Sequence, residues 1–320
     1  MEQSLFVNFL YAAILAGVPL LLGTVGEIIT QKSGNLNLGV EGMMYMGAIA
    51  GFIGAYSFNS ILLALLFGFM GGALGAFIYC ILTVTLKADQ NVTGLTLTIF
   101  GTGLANSIGA ALVKASVNNN VTISSYVKEM CRPIHFGIIS NIPYIGKLLF
   151  GHSFFVYLAL IVAVFSGVYL NRTRMGRNLR AIGENPAAAD SAGVNVSLYK
   201  YLHIVFGGGL SGFAGTYIIL ITCGGTWTHN AIAGQGWIAV ALVIFASWKP
   251  YRAILGSIVF GALSILRLYL SKSIIDIPPA VFSMLPFVAT SVVLVISSIK
   301  MKRENQQPQA CGINYFREDR

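Results

Sequence analysis

Residues 60–86 read SILLALLFGFMGGALGAFIYCILTVTL, twenty-seven positions without one Asp, Glu, Lys or Arg. A helix needs about 20 apolar residues to cross the roughly 30 Å hydrocarbon core of a bilayer. This run is long enough to cross with tilt, and it is one of nine. The others lie at about 5–24, 39–57, 92–112, 152–170, 201–222, 235–248, 252–270 and 278–299. The run at 235–248 is short, which leaves a re-entrant or tilted segment open beside a full span. The apolar runs are continuous and lack the period-two alternation of a membrane β-barrel. The expected fold is all-α: a polytopic integral membrane bundle of about nine helices.

Composition agrees. Of 320 residues, 56% are hydrophobic and 10% charged, against roughly 45–50% and 25% in soluble domains. That excludes an ordinary soluble domain and a disordered chain. It also excludes a binder of nucleic-acid polymers, because a net charge of +9 scattered over so apolar a chain forms no basic face. The first apolar run has no preceding Lys/Arg cluster and no small-residue cleavage site, so it reads as a retained helix.

Lys and Arg near span ends mark the cytoplasmic side. Arg172, Arg174, Arg177, Arg180 and Lys200 place 171–200 there, and Lys300, Lys302 and Arg303 place the tail 300–320 there too. The stretch 223–234 has neither residue type, whereas the 248–252 turn has Lys249 and Arg252. Counting back puts the N-terminus and the 113–151 loop outside. Residues 1–299 thus form one transmembrane domain, with 113–151 as its extracytoplasmic loop.

No catalytic constellation emerges. Cys80, Cys131, Cys223 and Cys311 are dispersed, without metal-ligand spacing. Cys131 and Cys223 both fall on the outer side, so a disulfide there is open. The four histidines form no paired set, and neither a nucleophile elbow nor a phosphate-binding loop is present.

The cytoplasmic stretch NRTRMGRNLRAIGENPAAADSAGVNVSLYKY (171–201) is polar yet rich in alanine. Asn185 can cap a helix, and Pro186 suits its first position. Ala187, Ala188, Ala189 and Ala192 favour helix, and Gly193 can end it in a left-handed conformation. A helix of two turns needs something to dock against. One reading is an interfacial connector. The other is a docking element for a partner.

Ala187-Ala188-Ala189-Asp190-Ser191-Ala192-Gly193 resembles the coupling motif, of the type EAAxxxG, by which ABC importer permeases dock on their ATPase. Ala187 stands where that pattern has glutamate, with Glu184 just before it. GNLNLGVEGMMYMGA (34–48), AGQGWIAVALVIFASWKP (233–250), MLPFVATSVVLV (284–295) and the tail's GINYFRED resemble the branched-chain amino acid, ribose and nucleoside branch, closest to nucleoside and simple-sugar permeases. The resemblance implies a permease subunit importing nucleosides or related bases. It further implies a homologous second permease chain (a heterodimer), an extracytoplasmic substrate-binding protein, and a cytoplasmic ATPase that uses ATP and Mg. The chain itself then binds no cofactor and is not an enzyme. Glu184, Asn185, Pro186, Ala187, Ala188, Ala189, Asp190 and Gly193 would couple it to the ATPase. Ribose or another simple sugar is an alternative cargo, and a proton-coupled transporter titrating Glu27 and Glu41 is a rival of another class.

Polar groups inside spans are costly unless they face protein or water. Glu27, Asn35, Asn37 and Glu41 surround the first interhelical break, interleaved with Gly34, Gly39 and Gly42. They either stabilise the bend or line a pathway. Asn106 either joins two helices or lines the same pathway. In GGTWTHNAIAGQGW (224–237), Trp227 and Trp237 can be interface anchors. Alternatively Trp227, with His229, Asn230 and Gln235, offers an aromatic face and amide edges suited to a purine or pyrimidine ring. A weak echo between 15–56 and 210–247 fits two pseudo-repeated halves with the pathway between them.

Overall fold

Each of the nine apolar runs is helical over most of its described length in a computed structural model, which describes residues 2–116, 120–134, 145–269, 279–299 and 306–316. Helices α1 (Glu2–Lys32), α2 (Val40–Phe58), α3 (Ile61–Cys80) and α4 (Gln90–Ala115) come first. The short α5 (Ser125–Met130) and α6 (Ile145–Phe150) follow, then α7 (Phe154–Arg172), α8 (Arg174–Glu184), α9 (Pro186–Ser191) and α10 (Val196–Tyr217). The chain closes with α11 (Gln235–Phe245), α12 (Pro250–Tyr269) and α13 (Pro279–Ile299). Single π-helical turns, Ile81–Thr85 and Ile218–Thr222, extend α3 and α10. Five of these segments are long and apolar enough to cross a membrane: Leu5–Lys32, Ile61–Thr85, Gln90–Ala115, Phe154–Arg172 and Val196–Thr222. The described residues contain no strand, only an isolated bridge between Thr122 and Thr226.

Helix α10 is the most buried span, packed among α1, α2 and α3. Glycine makes that burial possible. A Cβ on Gly212 would lie 2.2 Å from the Gly68 carbonyl oxygen of α3, and one on Gly47 of α2 would lie 2.2 Å from the Gly212 Cα. Backbone meets backbone on two sides, where dispersion replaces the hydrophobic drive that lipid removes. Helix α1 meets α10 where Pro19 denies the Leu15 carbonyl its usual i+4 donor. The Tyr217 hydroxyl of α10 donates to that carbonyl at 2.9 Å instead.

The loops sort onto two faces. On one, Tyr11 donates to the Gly151 carbonyl and the Ile123 and Trp227 amides bond to Gly225 and Val121. The start of α1, the described parts of 113–151 and the 223–227 turn therefore lie together. On the other, the Ala310 amide bonds to the Gly183 carbonyl and Asn314 bonds to the Lys87 carbonyl. The 86–90 turn, the 171–200 segment and the tail therefore lie together. This is the alternation expected from the charges. Cys131 and Cys223 are free thiols, so the disulfide left open above is not formed. Burial pushes the Cys131 thiol up to about 11.

Several boundaries differ from the sequence reading. Helix α1 continues past residue 24 to Lys32, because Thr24, Glu27, Thr30 and Gln31 are buried with hydrogen-bond partners rather than solvated. Helix α10 begins at Val196 rather than 201, capped by the Asn195 side chain. The stretch before Asn185 is the amphipathic helix α8, which buries Leu179 and Ile182 and exposes Arg174 and Arg177. Helix α11 has 11 residues, about 16 Å at 1.5 Å per residue, so it does not cross unaided.

Candidate functional site

Two non-helical segments enter the bundle from opposite faces and bring the starts of α2 and α11 together. After α1 ends, the chain doubles back along it. The Asn37 amide donates to Glu27 Oε1 at 3.2 Å, ten residues back along the sequence, and Gly23 packs against Met44 and Ala239. Thr24 Oγ1 donates to the Ala239 carbonyl, about 12 Å above the Lys32 end of α1 at 1.5 Å per residue. Both α2 and α11 thus begin within the bundle. The other segment descends beside α2: Trp227 packs on Phe52, the Ala233 amide reaches the Tyr45 hydroxyl, and the Gly234 amide reaches Glu41. From Phe52 to Glu41 the descent is about 16 Å.

Irregular backbone at membrane depth survives only where protein or an aqueous cavity satisfies it. The Ser33 and Gly34 amides bond back to the Thr30 and Gln31 carbonyls, and from Leu36 onward the partners are side chains. Gln90 Oε1 accepts from the Leu36 amide, Tyr79 donates to the Leu36 carbonyl, and Thr98 donates to the Leu38 carbonyl. Asn37 Oδ1 accepts from the Gly39 amide. Asn35 and Asn37 are almost wholly buried, so both sit inside this seal. Gln31 ties it to α11's far end, donating to Glu27 Oε1 while its own oxygen accepts from Trp248 Nε1 at 2.6 Å.

Glu41 joins the two breaks. Its Oε1 accepts from the Gly234 amide at 2.8 Å and its Oε2 from the Gly236 amide at 2.6 Å. A helix leaves its first four amides without intrahelical acceptors and carries positive potential at that end. Here a carboxylate from another helix supplies the acceptors, and Gly234 (φ +86°) makes the turn. Glu41 is therefore a cap, a role that its position 193 residues upstream of Gly234 gave no means of reading.

The second segment is less enclosed. Thr228, His229, Asn230 and Ala233 are exposed on the isolated chain, and Asn230 lies below the level where Trp227 enters the bundle, against Asn106 of α4. Asn230 and Asn106 of α4 form an amide pair: Asn106 Nδ2 donates to Asn230 Oδ1 at 2.8 Å, and the Asn230 amide donates to Asn106 Oδ1 at 3.3 Å. Trp227 is buried over Gly109, where a Cβ would lie 1.9 Å from its ring nitrogen, so it is a wedge rather than a water-side anchor. Gln235 lies apart from these, in a cavity of about 470 Å³ bounded by Ala16, Pro19, Ser264 and Pro286. In a double-mutant cycle, Asn106→Ala and Asn230→Gly are expected to show a coupling of about 1 kcal/mol. Thermal unfolding of the purified chain in detergent measures it, and purely additive losses would remove the pair from the site.

On the opposite face, α9 has the geometry read from its sequence. Asn185 Oδ1 accepts from the Ala188 amide at 3.0 Å, Pro186 opens the helix, and Gly193 ends it at φ +84°. Its contact face is small. Ala189 is buried with Ile182 and Val196 under Val194, Tyr199 and Tyr315, and Tyr315 donates to Asp190 Oδ2 at 2.9 Å. Glu184, Ala188 and Gly193 are exposed, Ala187 partly so. The expected pathway residues around the start of α11 and the expected coupling residues of α9 thus lie on separate levels of the molecule, whereas Asn35 sits near the coupling face, next to Gly34, which packs against Gly183. The described residues hold no cluster of three or more metal-ligating His, Cys, Asp or Glu side chains.

A family model described as branched-chain amino acid transport system / permease component matches residues 9–294. The chain is 36% identical over 266 residues to TsgC13 of Haloferax volcanii, whose assignment as a glucose ABC transporter permease is provisional; the match covers 83% of this chain and 78% of that one. It is 32% identical to the nucleoside ABC transporter permease protein NupC of Lactococcus lactis, over 95% of each chain. It is 29% identical to the guanosine ABC transporter permease protein NupQ of Bacillus subtilis, over 96% of this chain and 95% of that one. No solved structure matches.

Proposed function

The chain belongs to the permease-component family of branched-chain amino acid transport systems, and we propose that it is the membrane subunit of an ATP-driven importer of nucleosides. The observation that carries the cargo is similarity to two nucleoside permeases over nearly the whole of both chains. In this reading a second permease chain completes the pathway, a binding protein delivers substrate outside, and an ATPase binds inside. The Lys/Arg pattern puts the α8–α9 face and the tail in the cytoplasm.

The chain's own part in transport follows from its two levels. His229 and Asn230, exposed on the irregular backbone that Asn230 ties to α4, are the best-placed pathway residues, because such backbone needs water or protein against it. Glu41 and Asn37 hold the breaks that shape this segment. On the cytoplasmic face, α9 offers Ala188 and Gly193 to the ATPase. The ATPase moves the spans only if it binds one permease state better than the other. Both oxygens of Glu41 are engaged by helix amides, which weighs against Glu41 as one of the two titrating groups, Glu27 and Glu41, of a proton-coupled carrier; Glu27 has one oxygen held by Gln31 and the Asn37 amide.

Uptake of labelled adenosine, uridine, ribose and glucose into cells with and without the gene tests the proposal, with ATP depletion and an uncoupler applied separately. ATP-dependent nucleoside uptake that needs this chain is the expected result. The 36% identity to TsgC13 supports a second reading, in which only the sugar is taken up. Transport that survives ATP depletion and collapses with the proton gradient would overturn both. Ala188→Arg places a long cation on the exposed face of α9 without an intrachain clash to relieve. It is expected to lower uptake at least tenfold while membrane insertion is unchanged, as read by surface abundance of the chain. Wild-type uptake would remove α9 from the coupling surface.

A further inference from the structure

The tail 306–316 is not a free end: it lies across the cytoplasmic-side face and bonds to three separate parts of the transmembrane domain. The Ala310 amide donates to the Gly183 carbonyl at 2.9 Å, next to the end of α8, and Ala310 also packs on Gly34 at the start of the first break. Asn314 sits in the turn between α3 and α4. Its Nδ2 donates to the Lys87 and Ala88 carbonyls at 2.7 and 3.2 Å, and its Oδ1 accepts from Gln90 Nε2 at 3.1 Å. Tyr315 then donates to Asp190 and covers Ala189 of α9. Burial pushes the neighbouring Cys311 thiol up to about 12, as expected of a segment packed down rather than solvated.

Two facts give this arrangement a direction. Helix α9 has six residues and one buried side chain, so alone it is unstable and its position depends on what covers Ala189. Gln90, which Asn314 holds from one side, accepts the Leu36 amide on the other. A chain of contacts therefore runs from α9 through Tyr315, Asn314 and Gln90 to the 33–39 segment, and so to Glu41 and the start of α11. We propose that the tail links the two levels of the permease, with Tyr315 and Asn314 as positioning residues that carry displacement of α9 to the broken helices α2 and α11. This rests on the coupling role given to α9 above. Spatial continuity alone does not demonstrate coupling, so the test must separate linkage from simple support.

The variant is Asn314→Ala with Tyr315→Phe, which deletes the side-chain bonds and keeps the Tyr315 ring over Ala189. Transporter purified through a tag on this chain, with its native partners, is reconstituted in vesicles and assayed for adenosine uptake and ATP hydrolysis together. The expected result is at least fivefold more ATP hydrolysed per adenosine moved, with the complex intact. An unchanged ratio would overturn the proposal, and so would loss of the ATPase from the purified complex, because the tail would then only seat α9. Hydrogen–deuterium exchange on the purified chain gives a readout independent of cargo. Faster exchange is expected in 33–39 and 186–193 together, and a change confined to the tail and α9 would overturn the link. If wild-type vesicles move no adenosine with ATP, the functional reading fails while the exchange result still decides the linkage.

Discussion

Glu41→Ala is expected to abolish transport, lowering uptake more than 100-fold, and to destabilise the purified chain by about 3 kcal/mol or more. The estimate follows from two charge-assisted hydrogen bonds of about 1.5–3 kcal/mol each. Hydrogen bonds between membrane helices average below 1 kcal/mol. Those average bonds join side chains that find other partners when separated, whereas the amides of Gly234 and Gly236 open a helix inside the bundle. Deprived of Glu41 they face either hydrocarbon or a water drawn in from the pathway. Glu41→Gln should fall between the two, because its amide keeps one acceptor and turns a donor toward the second N–H. Thermal unfolding in detergent and uptake in cells measure the series. An unchanged unfolding midpoint for Glu41→Ala would mean that α11 is capped by something else.

Gly212→Leu is expected to cost 4 kcal/mol or more and to leave little chain that purifies as a single species. Overpacking usually costs about 1–3 kcal/mol because side chains move aside. At Gly212 nothing can move aside: the Gly68 carbonyl lies 2.2 Å from the added Cβ, and the Gly72 backbone 2.9 Å away. Helix α10 would have to withdraw from α3, losing the seam that Gly208 and Gly72 share. Gly103→Ala on α4 is the control, since a Cβ there meets nothing within 4 Å, and in the isolated chain it should fold at least as well as wild type. Recovery from membranes and gel-filtration profiles distinguish the two. Equal recovery would show that the seam is looser than the backbone distances imply.

Hydropathy made the nine helices legible because each run is apolar over most of its length. It also marked the 235–248 run as short, which α11 is. The α9 cap could be read residue by residue, since Asn185, Pro186 and Gly193 act on their immediate neighbours. What stayed hidden was long-range partnering. Thr24, Glu27 and Gln31 looked like the end of a span because nothing local announces that Ala239, Asn37 and Trp248 will satisfy them. Glu41 stood out as an intramembrane carboxylate, yet its partners lie on the far side of the sequence. Helix α8 was missed although a signal existed: Leu179 and Ile182 recur at helical spacing between arginines. The sequence placed the tail on the cytoplasmic side but not its docking, because the contacts are made by one backbone amide and two polar side chains, which no periodicity reveals.

The shortness of α11 has a consequence for how the molecule is made. An eleven-residue helix preceded by a polar descent is a poor substrate for release into lipid on its own. Insertion of the C-terminal third should therefore wait until α12 and α13 have been synthesised, with α11 drawn in as part of a hairpin that closes onto α1. The starting point of α11 is already built by then, because Glu41 belongs to the first helices to be inserted. The N-terminal part of the chain thus acts as a template for the late entry of its C-terminal part, and ribosome-bound intermediates ending before α12 should leave residues 224–245 accessible to water-soluble thiol reagents through an introduced cysteine.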